Sequence, residues 1–166
     1  MKPILIASDH GGFLLKEKLK SYLERKGLKV KDLGTHSASR CDYTKFAYAL
    51  AKEISCGRYK RGILICKTGI GHSIVANRLA GVRAALVYNV RAARLSREHN
   101  DSNVLILGSY FVNEGQAKKI LGVWLNTEFV GGRHLRRLNQ LREIEKKVSE
   151  CIRRRRICTN LPRHSL

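Results

Sequence analysis

The sequence lacks the features that mark membrane, secreted and disordered proteins. It has only two prolines in 166 residues, and no stretch approaches the roughly 18 consecutive apolar residues of a membrane-spanning helix. We expect no signal peptide, because Met1-Lys2-Pro3-Ile4 leads directly into a predicted strand. Hydrophobic residues make up 43% of the chain, which suffices for a well-packed globular domain. We therefore predict a cytoplasmic protein that does not bind membranes.

Acidic side chains are also scarce. The 13 Asp and Glu residues stand against 33 Lys and Arg residues, which gives a net charge of +20. This balance favours phosphorylated ligands, nucleic acids or anionic surfaces, without choosing among them. The five cysteines are an odd number without the spacing of a zinc site, so we expect free thiols and no bound metal.

Five apolar segments alternate with helical patterns along the chain. Strands are predicted at residues 3–8, 28–33, 63–66, 82–87 and 103–107. Strict alternation of strands and helices predicts a parallel sheet with helices on both faces. Residues 28–33 alternate apolar and polar side chains, as an edge strand does, so the predicted strand order is 2-1-3-4-5. The predicted fold is a Rossmann-like α/β three-layer sandwich with a five-stranded parallel sheet.

Two local patterns in the C-terminal part of the sequence predict a helix start and a domain boundary. Asn113, with Gln116 three residues later, predicts a capping pair at the start of a helix. After Gly131-Gly132, apolar residues recur at helical spacing as far as Val148, whereas residues 151–166 lose this periodicity and contain four consecutive arginines. We therefore predict one domain over residues 1–150 and a basic tail over residues 151–166.

The central motif follows the third strand and reads Cys66-Lys67-Thr68-Gly69-Ile70-Gly71. A strand–turn–helix with two glycines leaves backbone N–H groups unpaired at the start of the helix, where they can hold an anion. This positive helix end is expected to lower the pKa of the Cys66 thiol. The structural alternative is a buried cysteine that ends a core strand and an ordinary turn after it.

The predicted topology places a second motif beside this turn. Ser8-Asp9-His10-Gly11-Gly12 ends the first strand, and the point between strands 1 and 3 is where ligands of such sheets bind. A carboxylate, an imidazole, a thiol and a hydroxyl are therefore expected at one site, which favours catalysis over the structural alternative.

Two further motifs lie away from this point. His99-Asn100-Asp101 precedes the fifth strand and is expected at the opposite end of the sheet, where the pattern by itself indicates a turn. A functional role would require a second subunit to bring this segment to the site. Arg133 and Arg137 share one face of a predicted helix after Gly131-Gly132, next to His134. They can form a bidentate phosphate clamp or a solvated basic face.

Together with Asp42-Tyr43, these motifs resemble those of type B ribose-5-phosphate isomerases, in the wider family that includes galactose-6-phosphate isomerase subunits. The resemblance covers residues 1 to about 148. It implies a cofactor-free aldose–ketose isomerase of carbohydrate metabolism, in the pentose phosphate pathway, that interconverts ribose 5-phosphate and ribulose 5-phosphate through a cis-enediolate. It also implies a homodimer, or a dimer of dimers, with active sites shared between subunits.

The resemblance also implies a role for each site residue. Cys66 is the base that moves a proton between C1 and C2, Asp9 and His99 assist opening of the furanose ring, and Thr68 helps to hold the enediolate oxygen. The residues expected to bind the substrate are His10, Tyr43, Lys67, Gly69, Ile70, Gly71, Asn100, Arg133, His134 and Arg137.

Three positions depart from the family pattern, and two other functions stay open. Lys67 replaces a glycine, Tyr110 stands where relatives commonly carry arginine, and Thr44 stands where proline is usual. The first two touch the expected site. One alternative function is isomerisation of a six-carbon phosphosugar, such as allose 6-phosphate or galactose 6-phosphate. The other is nucleic-acid binding on the same fold, which the charge of +20 permits.

Overall fold

The computed structural model describes residues 2–159, with side chains described as far as residue 154. These residues form two units, 2–130 and 131–159. The strands of the first unit are β1 (Ile4–Ser8), β2 (Val30–Asp32), β3 (Gly62–Cys66), β4 (Ala84–Leu86) and β5 (Val104–Gly108). Its helices are α1 (Phe13–Arg25), α2 (Tyr43–Ser55), α3 (Ile70–Ala76), α4 (Val90–Asn100) and α5 (Glu114–Asn126). The second unit consists of α6 (Arg133–Thr159).

The five strands form one sheet in which every pairing is parallel. The parallel sheet is confirmed, and β2 lies at an edge as predicted because it pairs only with β1. The observed order is 2-1-3-5-4, so the predicted order 2-1-3-4-5 is wrong in its last two strands.

Burial explains why β5, and not β4, lies next to β3 in the sheet. All five residues of β5 are buried, and the strand pairs with β3 on one side and β4 on the other. β4 has only three residues, each half-buried. The longer apolar strand therefore takes the inner position and the short strand the edge, which overrides the tendency of consecutive strands to be neighbours.

Two hydrophobic clusters pack against opposite faces of the sheet. Helices α1, α4 and α5 cover the face that contains Ile63 and Ile65 of β3. Helices α2 and α3 cover the other face, which contains Leu64 of β3 and Ala7 of β1. The first unit is therefore the predicted three-layer sandwich, and the two-residue alternation of β3 assigns the Cys66 side chain to the face under α2 and α3.

The C-terminal helix is longer than the apolar spacing predicts. Helix α6 continues through Thr159, so residues 151–159 are helical, whereas residues 160–166 lie outside the described part of the chain. The division into a domain over 1–150 and a basic tail over 151–166 stays a prediction. Between residues 2 and 159, no helix combines the length and the apolar character that a membrane span requires.

Lys16 is a lysine of α1 with no exposed side-chain surface. Its ammonium donates to the carboxylates of Glu17 and Asp32 and lies 5.4 Å from the centre of the Phe13 ring. Asp32 is nearly buried, whereas the side chain of Glu17 is 42% exposed. A buried ammonium needs a partner of opposite charge, so the pair of Lys16 and Asp32 joins α1 to the edge strand β2.

We expect Asp32→Asn to lower the free energy of unfolding by about 3 kcal/mol, because it leaves the Lys16 ammonium buried without its main counter-charge. The measurement is chemical denaturation at neutral pH. Glu17→Gln is the matched control and should cost less than about 1 kcal/mol, since the Glu17 side chain is 42% exposed and water screens its ion pair with Lys16. Equal costs for the two variants would contradict this account of Lys16.

Candidate functional site

The turn after β3 surrounds the Cys66 sulfur with backbone donors. The N–H of Gly69 donates to the sulfur at 3.0 Å, and the backbone N–H groups of His72 and Thr68 also favour a negative charge there. Gly69 has a φ of +81°, and a Cβ at this position would lie 2.3 Å from Cδ1 of Leu86. Only glycine fits this turn, so the arrangement of donors depends on Gly69.

Burial raises the pKa of the Cys66 thiol. The N–H groups of Gly69, His72 and Thr68 lower this pKa, and the charge of Asp9 raises it, but the loss of hydration is the largest effect. The expectation that the helix start would lower the pKa of Cys66 is therefore wrong. Because its pKa is raised, the Cys66 thiol is protonated at neutral pH. Its thiolate, once formed, is a stronger base than the thiolate of a cysteine whose pKa is lowered.

Asp9 lies at the end of β1 beside Cys66. Its side chain is buried, and Oδ1 accepts the N–H of Gly12 at 3.1 Å. The parallel register pairs Ser8 with Ile65, so the next residues along the two strands are neighbours at the carboxyl edge of the sheet. The Asp9 charge acts on the pKa of Cys66, which indicates that the carboxylate and the thiol share one site.

His10 and Tyr43 border the same site. Nδ1 of the half-buried His10 lies 3.2 Å from the carbonyl oxygen of Cys41. Tyr43 begins α2, and a Cβ at Gly71 would lie 2.6 Å from Cε2 of its ring. The start of α2 and the start of α3 therefore contact each other above the carboxyl ends of β1 and β3.

Lys67 and Tyr110, the two departures expected near the site, contact each other. Nζ of Lys67 lies 5.7 Å from the centre of the Tyr110 ring, within range of a cation–π interaction. The stem of Lys67 packs over Gly11, where a Cβ would lie 2.4 Å from Cγ of the lysine. Ser109 donates to the carbonyl oxygen of Gly11 at 2.7 Å, so the loops after β1, β3 and β5 are held together at this edge. The predicted site residues that the structure brings together are Asp9, His10, Tyr43, Cys66, Lys67, Thr68, Gly69, Ile70 and Gly71.

His99 and Asn100 lie at the other end of the sheet. They end α4, and Nε of Arg83, the residue before β4, donates to the carbonyl oxygen of Asn100 at 3.0 Å. Because the strands are parallel, this amino edge faces away from Cys66 at the carboxyl edge. The prediction that this segment lies at the opposite end of the sheet from Cys66 is therefore confirmed.

Three further predicted residues, Arg133, His134 and Arg137, belong to the second unit. All three lie near the start of α6, and Nε of Arg133 lies 3.5 Å from Nε2 of His134. Arg133 and Arg137 are one helical turn apart, so they lie on the same face of α6, as predicted.

His72 is a residue of the site that the sequence patterns did not indicate. Its side chain has no exposed surface, and neither ring nitrogen has a hydrogen-bond partner among the described residues. The ring centre lies 6.0 Å from that of Tyr43. Burial lowers the pKa of His72 to about 4. The negative charge of Asp9 and the nearby backbone of Tyr43 act in the opposite direction and raise this pKa, although the Tyr43 backbone does not reach hydrogen-bond geometry. The sequence feature that indicates burial of His72 is its position four residues before the apolar Ala76, which places both on the inner face of α3.

Comparison with known proteins gives a consistent result. The family model described as Ribose/Galactose Isomerase matches residues 4–141. The chain is 43% identical over 147 residues to ribose-5-phosphate isomerase B of Escherichia coli (strain K12), covering 89% of this chain and 99% of that protein. It is 40% identical over 145 residues to a putative sugar phosphate isomerase of Bacillus subtilis (strain 168), covering 87% and 97%.

Two solved structures are similar over nearly their whole length. Ribose-5-phosphate isomerase B of Clostridium thermocellum has a TM-score of 0.86 and 46% identity, covering 89% of this chain and 99% of that one. The enzyme of the same name from Mycoplasma genitalium, with bound ribulose 5-phosphate, has a TM-score of 0.83 and 41% identity, covering 87% and 96%.

Because His72 is buried, we expect the free energy of unfolding to fall as the pH is lowered. Its pKa is about 4 in the folded protein, against an ordinary value of 6.5. As the pH falls from 6.5 to 4, the unfolded chain binds a proton at this side chain before the folded chain does. Stability is therefore lost in this window, by up to about 3 kcal/mol.

The measurement is chemical denaturation between pH 7 and pH 4. His72→Leu should reduce the loss of stability on acidification by about 3 kcal/mol, because the leucine side chain does not titrate. His36→Leu removes an exposed histidine and should leave the pH dependence unchanged. The same acid-induced loss in His72→Leu as in the wild type would contradict the assignment.

Proposed function

The chain belongs to the ribose/galactose isomerase family, and we propose that it interconverts ribose 5-phosphate and ribulose 5-phosphate through a cis-enediolate, without a cofactor. The observation that carries the proposal is the β3 turn. There a buried thiol, a carboxylate and a set of backbone donors meet at the carboxyl edge of the sheet. A carbon acid needs a base of this kind, and the enediolate needs donors where its charge develops.

In the proposed proton transfer, Cys66 acts as a thiolate on the open-chain aldose. The sulfur takes the proton from C2, the electron pair of that C–H bond forms the C1–C2 double bond, and the charge moves to O1. Thr68 and the N–H groups of the turn hold this oxygen, each donor contributing roughly 3 kcal/mol. The thiol then returns the proton to C1 while the O2 proton moves to O1, which gives the ketose.

The raised pKa of Cys66 supports this role. A base with a higher pKa removes a proton from carbon more readily, but a smaller fraction of it is ionised at neutral pH. Turnover should therefore increase as the pH rises from neutral to alkaline values, until the thiol is ionised.

We also propose a homodimer, or a dimer of dimers, in which His99 and Asn100 of the partner subunit complete the site. His99 lies at the amino edge of its own sheet, so only a second copy can bring it to Cys66. In this arrangement Asp9 and His99 of the partner subunit open the furanose ring. We further propose that His10 binds the phosphate, that Tyr43 lines the pocket and that Lys67 binds the substrate. The phosphate-binding roles of Arg133 and Arg137 and the pocket-lining role of His134 stay predictions for the second unit.

We place the enzyme in the cytoplasm and in the pentose phosphate pathway. Four of its cysteines, Cys41, Cys56, Cys66 and Cys151, are free thiols. A reducing compartment keeps such thiols reduced, as the proposed base requires.

A coupled assay of the purified protein tests the substrate. We expect kcat/KM for ribose 5-phosphate to exceed that for allose 6-phosphate and galactose 6-phosphate by roughly tenfold or more, because one extra carbon displaces either the phosphate or C1 from its binding groups. A higher kcat/KM for either six-carbon sugar would assign the enzyme to that substrate instead.

Cys66→Ala should lower kcat by roughly 10² to 10³ or more, because it removes the base that transfers the proton. Binding of inorganic phosphate and the free energy of unfolding should change little. Cys41→Ala removes another thiol of the same region and is the matched control. Activity of Cys66→Ala above about a tenth of wild type would contradict the role of the sulfur.

Mixed dimers test the shared site. Cys66→Ala and His99→Ala should each be nearly inactive alone. Co-expression in equal amounts makes about half of the dimers mixed, and each mixed dimer has one intact site, so activity should recover to about a quarter of wild type. No recovery in isolated mixed dimers would contradict a site built from two subunits.

A further inference from the structure

The turn that follows His99 and Asn100 has an unusual backbone. Asp101 has a φ of 44°, and it is the one non-glycine residue with positive φ in the described part of the chain. Its N–H donates to the carbonyl oxygen of Arg97 at 3.0 Å, and the N–H of Ser102 donates to that of Ser96 at 3.0 Å. When the residue that follows a helix has a left-handed backbone conformation, it is usually glycine, because a side chain in this conformation costs roughly 1 kcal/mol of stability. The aspartate therefore needs a compensating interaction.

Two guanidinium groups supply that interaction. Oδ2 of Asp101 lies 2.8 Å from Nη2 of Arg83, and Oδ1 lies 2.6 Å from Nη1 of Arg97. Nε of Arg83 also donates to the carbonyl oxygens of Asn100 and Asp101, at 3.0 and 2.9 Å. The carboxylate and the backbone on both sides of the turn are therefore held by the same pair of arginines, and we call these three residues the Asp101 cluster.

The Asp101 cluster is attached to the core through Arg97. The side chain of Arg97 is only 8% exposed, and it donates to the carbonyl oxygens of Ser102 and Thr127 at 2.7 and 3.3 Å. Its guanidinium lies 5.9 Å from the ring centre of Trp124, which is fully buried. Nε1 of Trp124 in turn donates to Oγ of Ser102 at 2.8 Å. The turn is therefore fixed from both the helix side and the core side.

We propose that Asp101 is a positioning residue, which holds the segment His99–Asn100 in the conformation that enters the site of a second copy. This inference rests on the proposed shared site. His99 is half-buried and Asn100 is exposed, at the edge of the sheet away from Cys66 of their own chain. A segment fixed before association loses little conformational entropy when it binds, and a reacting group displaced by 1 Å can cost roughly a hundredfold in rate.

The test places Asp101→Asn in one partner of the mixed dimer at a time. Asparagine keeps the size of the side chain and tolerates positive φ, but it cannot form the two ion pairs. In the first arrangement the substitution is on the Cys66→Ala chain, which provides His99 to the intact site. In the second arrangement it is on the His99→Ala chain, which provides Cys66 to that site.

We expect the first arrangement to lose roughly tenfold or more of the recovered kcat and the second to stay within about twofold. A purely structural role would lower both equally, because the two mixed dimers contain the same substitutions in total. In the first arrangement, the loss should be larger with ribose 5-phosphate than with ribulose 5-phosphate, since ribulose 5-phosphate cannot form a furanose ring and needs no ring opening.

Glu114→Gln is the matched control, because Glu114 also bridges two bases, Lys18 and Lys118. It should leave the recovered activity unchanged in either arrangement. Equal losses from Asp101→Asn in both arrangements, or no loss in either, would overturn the positioning role and leave the proposed isomerase intact. No recovery in the parent mixed dimer would overturn the shared site, and the role of Asp101 with it.

Discussion

The N–H of Gly69 donates to the buried sulfur of Cys66 at 3.0 Å, and the other groups of the candidate site are arranged around this contact. The contact depends on the positive φ of Gly69 and on the lack of space for a Cβ beside Leu86. Burial raises the pKa of the thiol, while the backbone donors of the turn act in the opposite direction. In the proposed mechanism, the same position therefore provides a strong base and donors for the anion that this base creates.

A parallel sheet separates the two ends of the proposed chemistry. Cys66 lies at the carboxyl edge and His99 at the amino edge, and strands of five residues set these edges roughly 15 Å apart. One chain cannot close this distance without unfolding, so the separation itself favours a site shared by two copies. In the proposed shared site, the ion pairs of Asp101 with Arg83 and Arg97 do more than end α4, because they fix the segment that enters the site of the second copy.

Local patterns predicted much of the fold, because they depend on neighbouring residues. The parallel sheet, the edge position of β2 and the capping box of Asn113 and Gln116 are all confirmed. The places of β4 and β5 were not predicted, since relative burial decided them against chain adjacency. The pKa of Cys66 was predicted in the wrong direction, because the turn is visible in the sequence but the depth of burial is not. His72 was missed for the same reason.

In the proposed mechanism, Cys66 moves a proton between C1 and C2 of ribose 5-phosphate. Proton NMR of ribose 5-phosphate incubated with the protein in D₂O follows the path of this proton. We expect that ribulose 5-phosphate forms and that solvent deuterium enters at C1, because the proton held on sulfur exchanges with water over repeated turnovers. Absence of conversion, or an equilibrium mixture that contains no deuterium at C1 or C2, would contradict it.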